Sequence, residues 1–261
     1  MRMAASGDVQ LCVEHTLCPG APALLLINSL GTDYGMWDDQ WDALSARYEL
    51  IRYDTRGHGK STTGAKVEVS LEQLAADALA VLDACGIARA HICGVSLGGM
   101  TAMQIARQAP DRVLKLVLSN TSTHMPPREN WIARVEQVIT QGMGAIVDAT
   151  LGRWFTPEFM ASSPDKVERV RAMFVATDPK GYAACCAAIR DLDLREKIGA
   201  ITAKTMVIAG LRDPATPLSH AQHIHAAIAE SKLVTFDAAH LSNIECAAAY
   251  TAELEKFLLT E

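Results

Sequence analysis

A chain of 261 residues with 49% hydrophobic and 21% charged side chains can bury a sizeable core and is too apolar for disorder beyond its ends. Its formal charge of −6 argues against nucleic acid or an anionic membrane as a partner, because both need a basic face. Seven cysteines, odd in number and without a Cys-x-x-Cys pair, read as reduced thiols, and no apolar run approaches a membrane span, so the sequence predicts a cytoplasmic protein.

Asp8 to Leu17 alternates weakly and predicts an antiparallel hairpin opening a sheet. Short apolar runs then recur at Leu24 to Ile27, Leu50 to Tyr53, His91 to Cys93, Leu114 to Leu118, Met206 to Ala209 and Leu233 to Phe236. Runs this uniformly apolar fit strands covered on both faces, hence a mostly parallel sheet. Helical stretches separate them, and Ser70 with Gln73, Ser219 with Gln222 and Ser242 with Glu245 each match the spacing of a capping box. The alternation predicts an α/β, doubly wound fold.

Between about His124 and Lys197 the strand signal vanishes, and five prolines punctuate short helical pieces. The pattern divides the chain into a core domain, 1–123 with 198–261, and a helical lid inserted over 124–197. Trp131, Trp154, Phe155, Phe159 and Phe174 concentrate aromatic area in this insertion of an otherwise aromatic-poor chain. They either line an apolar pocket beneath a lid or simply hold the insertion on the sheet.

The strongest chemical signal is Gly94-Val95-Ser96-Leu97-Gly98, directly after one apolar run and before the helical stretch Met100 to Gln108. A serine on a sharp strand-to-helix turn presents its hydroxyl above the sheet edge, and small neighbours are needed because other backbone passes close by. A serine hydroxyl is a weak nucleophile until an imidazole takes its proton and a carboxylate fixes the imidazole. Chain order and strand ends select Asp213, after Met206 to Ala209, and His240, after Leu233 to Phe236.

The competitors fail on position. Ser119-Asn120-Thr121 offers no carboxylate at the end of its strand, and Asp237 reads as a turn residue. His58 sits in a glycine-rich turn suited to a structural role, whereas His220, His223 and His225 spread around a helix as a solvated surface and lack metal-ligand spacing. No metal is expected, and the glycines after Ser96 do not form a phosphate-binding loop with its lysine. For the oxyanion, backbone N–H groups of Leu97, at a helix start, and Leu30, in the loop after Leu24 to Ile27, are the candidate donors.

Taken with Asn28-Ser29-Leu30-Gly31, Asp54-Thr55-Arg56-Gly57-His58-Gly59 and Ala239-His240-Leu241-Ser242-Asn243, these segments make the chain resemble the α/β-hydrolase family over nearly its full length, and within it the 3-oxoadipate enol-lactonases. Ala239 departs from the glycine that commonly precedes the histidine in that family. The resemblance implies an α/β-hydrolase fold and cofactor-free opening of a small anionic enol-lactone to 3-oxoadipate in bacterial aromatic degradation. A substrate carboxylate then needs a partner, and Arg128, Arg134 and Arg153, beside Trp131 and Trp154, are candidates unless they are solvated surface charges. A related esterase, a carbon–carbon bond hydrolase, a cofactor-free perhydrolase or a ligand receptor on the same fold would share the serine, acid and histidine.

Overall fold

The computed structural model describes residues 1–259. Eight strands form one sheet: β1 (Arg2–Ser6), β2 (Val9–Thr16), β3 (Ala23–Ile27), β4 (Glu49–Tyr53), β5 (Ala90–Val95), β6 (Val113–Ser119), β7 (Lys204–Gly210) and β8 (Lys232–Phe236). Their order across the sheet is β1-β2-β4-β3-β5-β6-β7-β8. The first two strands pair antiparallel as a hairpin and β2 joins β4 antiparallel; every pairing from β4 to β8 is parallel. The predicted hairpin is therefore present, but its first strand precedes Asp8, which sits in the turn.

Burial explains why these runs extend. Every residue of β3 and β5 is buried, as expected of central strands covered on both faces, whereas β8 is an edge strand with an exposed Lys232 at its start. On one face lies α2 (Leu71–Ala84), which buries Leu71, Leu74, Ala75, Ala78, Val81 and Leu82 as a single stripe. The neighbouring α3 (Leu97–Gln108) is buried from Leu97 to Ala106 and has no solvated face to speak of. Helix α1 (Asp38–Ser45) lies between β3 and β4 in the chain.

Between β6 and β7 the chain forms five helices: α4 (Arg128–Gln141), α5 (Val147–Trp154), α6 (Pro157–Ser162), α7 (Pro164–Ala176) and α8 (Pro179–Arg190). Helix α8 is the one that seats this insertion, burying Gly181 through Ile189. Gly181 meets Gly57 backbone to backbone, and a Cβ on either would collide with the other. After β7 come α9 (Leu218–Ala227), α10 (Ser242–Glu245) and α11 (Ala247–Leu259).

Of the three expected capping boxes, only the serine half of one forms among the described residues. Ser70 accepts from the Gln73 amide at the start of α2. Ser219 lies inside α9, whose cap position is Pro217, and Ser242 is already helical behind Leu241. The Ser242 hydroxyl donates instead to Asn120 Oδ1 at 2.6 Å, a tertiary partner that local spacing does not encode.

Candidate functional site

The site lies along the carboxyl ends of the parallel strands, where the chain leaves β3 toward one side of the sheet and β5 toward the other. Ser96 joins β5 to α3 with φ 57° and ψ −116°, a backbone conformation that residues other than glycine rarely adopt. The turn survives because it is held from three directions. Ser96 N donates to Ser119 O at 2.9 Å, while Ser96 O accepts from Thr121 Oγ1 at 2.7 Å and from Met100 N at 3.0 Å. Both flanking glycines are sterically required: a Cβ on Gly94 would fall on the Gly98 carbonyl, and one on Gly98 on the Ile27 carbonyl.

Asp213 and His240 come from the loops after β7 and β8. His240 Nδ1 donates to Asp213 Oδ2 at 2.8 Å, with both residues buried. The carboxylate accepts four further hydrogen bonds. Asn120 Nδ2 (3.0 Å) and Thr216 Oγ1 (2.7 Å) donate to Oδ2, and the amides of Ala215 (2.8 Å) and Thr216 (3.0 Å) donate to Oδ1. Burial alone would raise the Asp213 pKa, but the adjoining His240 and these donors outweigh it and hold it down at about 2. Asp213 is thus a fixed anion that pins the imidazole with Nδ1–H toward itself, leaving Nε2 as the basic nitrogen.

Ser96 and His240 line one cavity of about 240 Å³. No hydrogen bond joins the serine hydroxyl to the imidazole among the described residues. Leu30 also lines the cavity, and its N–H donates to no acceptor among the described residues. Its neighbours are engaged: Ser29 N with Met36 Sδ at 3.2 Å and Gly31 N with His58 Nε2 at 2.9 Å. Leu97, as the first residue of α3, has an N–H without an intrahelical acceptor. Asn28 fixes the same loop, donating to Tyr53 O at 2.8 Å and accepting from Trp37 Nε1 at 3.0 Å.

The insertion supplies the far wall. Trp131, Arg134, Arg153 and Trp154 all line the cavity. Phe155, Phe159 and Phe174 do not: Phe155 stacks on Phe159, and Phe174 meets Trp154 and Tyr182 edge to face. Arg128 is a correction to the sequence reading. It stands outside the cavity, well exposed, in an ion pair with Asp191 at 2.8 Å. The other two arginines have no carboxylate partner among the described residues. Arg134 donates to Tyr182 Oη at 3.1 Å and lies 5.4 Å from the centre of the Trp131 ring, while Arg153 donates to Thr150 Oγ1 at 3.2 Å. Burial and the nearby Arg134 cation push the Arg153 pKa below its usual value, as expected of two cations facing one space.

Two residues of this machinery escaped the sequence reading. Asn120, with φ 44°, was set aside because it has no carboxylate, yet its amide ties Asp213 Oδ2 to Ala239 O (3.2 Å) and accepts from Ser119 and Ser242 hydroxyls. Thr216 was legible only as the third residue after Asp213. His58 is structural as expected, with both ring nitrogens engaged by backbone. In the histidine cluster only His223 is exposed; His220 and His225 are half-buried, and no group of metal-ligating side chains occurs among the described residues. No helix among the described residues is long and apolar enough to cross a membrane.

Residues 22–247 match the family described as the alpha/beta hydrolase fold. Two relatives from Acinetobacter baylyi, 3-oxoadipate enol-lactonase 1 and 2, are 37% and 36% identical over 226 and 234 residues. The first alignment covers 86% of this chain and 84% of the relative, and the second 90% and 87%. The crystal structure of the enol-lactonase from Burkholderia xenovorans LB400 superposes with a TM-score of 0.96 at 39% identity, covering 99% of this chain and 100% of that one. By fold, strand order and sequence, this chain belongs to the α/β-hydrolase family and is a hydrolase of that family.

Proposed function

We propose that the protein is a serine hydrolase that opens a small, carboxylate-bearing enol-lactone, 3-oxoadipate enol-lactone, to 3-oxoadipate. The observation that carries this reading is the pair of arginines, Arg134 and Arg153, that share a small cavity with Ser96 and His240 and have no anionic partner of their own among the described residues. Two half-buried cations facing one space favour an anionic ligand. At about 240 Å³ the cavity falls below the span of pockets that hold drug-sized ligands, which suits a single small ring. The likeness to the two enol-lactonases of Acinetobacter baylyi and to that of Burkholderia xenovorans points to the same substrate.

In this reading Ser96 Oγ attacks the ring carbonyl and passes its proton to His240 Nε2, while Asp213 stabilises the imidazolium. The Leu30 and Leu97 amides hold the tetrahedral oxyanion. Collapse breaks the ring C–O bond and expels an enolate, which takes a proton and becomes the ketone of the acyl-enzyme. An enolate leaves more readily than an alkoxide, so His240 contributes less as a general acid here than in an ordinary ester, and its main later task is deprotonating the water that releases 3-oxoadipate. The insertion, residues 124–197, serves as a lid whose arginines grip the spectator carboxylate.

The test is turnover of the enol-lactone, followed through its ultraviolet absorbance, in wild type and Ser96→Ala. A loss of about 10⁴-fold or more in kcat is expected of the variant. Undiminished hydrolysis by Ser96→Ala removes the serine as nucleophile. Saturable binding by the wild type without multiple turnover makes the protein a receptor.

A further inference from the structure

The loop bearing His240, residues 237–241, has no regular structure, and the peptide amides on either side of the histidine are held from outside the sheet. Ala239 N donates to Glu245 Oε2 at 2.9 Å, and Leu241 N donates to Trp154 O at 3.1 Å. The other Glu245 oxygen, Oε1, accepts from the Thr156 hydroxyl and from Thr156 N at 3.3 Å. The segment Trp154–Thr156 of the insertion is therefore fastened to the histidine loop twice, directly on one side of His240 and through a carboxylate on the other. Trp154 also puts its side chain into the wall of the cavity that holds Ser96.

We propose that Glu245 is a positioning residue, a latch that fixes the His240 imidazole for proton transfer only while the Trp154–Thr156 segment of the insertion is seated. A carboxylate suits this place because it needs only to accept: each oxygen takes an N–H or O–H from a different segment, and charged acceptors hold such donors more tightly than neutral ones. Glu245 is itself anchored by its own N–H, which donates to Leu241 O at 3.0 Å, so its side chain reaches back across the turn it closes. A ligand that packs against Trp154 orders the segment, and the segment in turn orders the amides flanking the base. Because a small displacement of a reacting group is felt in the rate more than in ground-state binding, the latch acts on kcat.

The inference rests on His240 being the base, and the experiment separates the two. Hydrolysis is measured for wild type, His240→Ala, Glu245→Ala, Glu245→Gln, Thr156→Val and the double variant Glu245→Ala with Thr156→Val, each with a thermal midpoint. Expected are loss of activity in His240→Ala, about a tenfold fall in kcat with KM within about twofold for Glu245→Ala, and a several-fold fall for Thr156→Val. The double variant should be no slower than Glu245→Ala, because both substitutions break one connection. Glu245→Gln should recover part of kcat, its amide oxygen accepting from Ala239 N–H and its NH2 donating to the Thr156 hydroxyl, while the longer contact from Thr156 N–H is lost. An inactive His240→Ala beside Glu245→Ala of unchanged kcat overturns the latch alone, as do losses that multiply in the double variant. An active His240→Ala overturns the base, and the latch with it. Should Glu245→Ala fail to fold, the Gln and Thr156→Val variants decide by the same split between kcat and KM.

Discussion

His58 Nε2 accepts the amide hydrogen of Gly31 at 2.9 Å while its Nδ1–H donates to Arg56 O at 3.0 Å, so the imidazole is held neutral in one tautomer. Burial pushes its pKa down to about 4, and a proton on Nε2 would face the Gly31 N–H head on. The unfolded chain, with an ordinary histidine, binds that proton near pH 6.5, so stability contributed by His58 is full above about 6.5 and is lost as pH falls toward 4. The contribution at stake is on the order of a few kcal/mol. Urea denaturation of wild type and His58→Gln across this window should show the wild-type advantage shrinking on acidification. His91 titrates in the same sense and Asp54, raised to about 6, in the opposite one, which is why the difference between the two proteins, not the wild-type curve, carries the signal. A difference that stays constant with pH removes the neutral, buried His58.

Asn120 supplies an amide hydrogen to Asp213 Oδ2 at 3.0 Å, and Asn120→Asp would replace it with a second carboxylate at that distance. Two carboxylates so close cannot both ionise easily. At neutral pH the variant should lose about 10- to 100-fold in kcat/KM, through displacement or protonation of the anion that orients His240. As pH falls, the new carboxyl gains a proton and becomes a donor again. The ratio of variant to wild-type activity should therefore rise on acidification, and a flat ratio would rule out Asn120 as a support for Asp213.

Asn120 carries a role that its place in the sequence does not disclose. All six apolar runs became strands, because a chain buried on both faces leaves an uninterrupted apolar signature, and the candidacy of Ser96, Asp213 and His240 rests on strand ends and chain order. Groups whose role is decided by a distant partner left no such trace. Ser242 has the spacing of a helix cap, but its hydroxyl is turned to Asn120, 122 positions away. Arg128, Arg134 and Arg153 look alike in sequence; Arg128 begins α4, where Asp191 at the end of α8 draws it to the surface, and the other two point inward.

Replacing Arg134 or Arg153 by methionine keeps an unbranched apolar stem, though a shorter one, and removes the charge. If the pair binds the substrate carboxylate, KM for the acidic lactone should rise by about tenfold or more in each variant while that for a neutral ester changes less than about twofold. Arg153 is already disfavoured by burial and by Arg134, so Arg153→Met should leave the ligand-free protein as stable as wild type, or more so. Steady-state kinetics on the two substrates, with thermal midpoints, provide the check. Equal effects on acidic and neutral substrates remove that arginine from the binding site.

The backbone of Ser96, at φ 57° and ψ −116°, holds strain that a glycine would release. Such a conformation costs an ordinary residue about 1–3 kcal/mol. A glycine loses extra chain entropy on folding, about 0.5–1 kcal/mol against alanine. The first effect exceeds the second, so Ser96→Gly should be more stable than Ser96→Ala by about 1 kcal/mol, although both lack the hydroxyl. Two residues on, the sign reverses. A methyl group at Gly98 would drive into the Ile27 carbonyl oxygen, whose strand also launches the loop carrying Leu30, so Gly98→Ala should lose several kcal/mol and disturb the candidate oxyanion donors together. Denaturation midpoints of the three variants, measured side by side, test the pair of claims. Equal stability of Ser96→Gly and Ser96→Ala would mean that the turn is unstrained, and a stable, fully active Gly98→Ala would mean that the two backbones are not in contact.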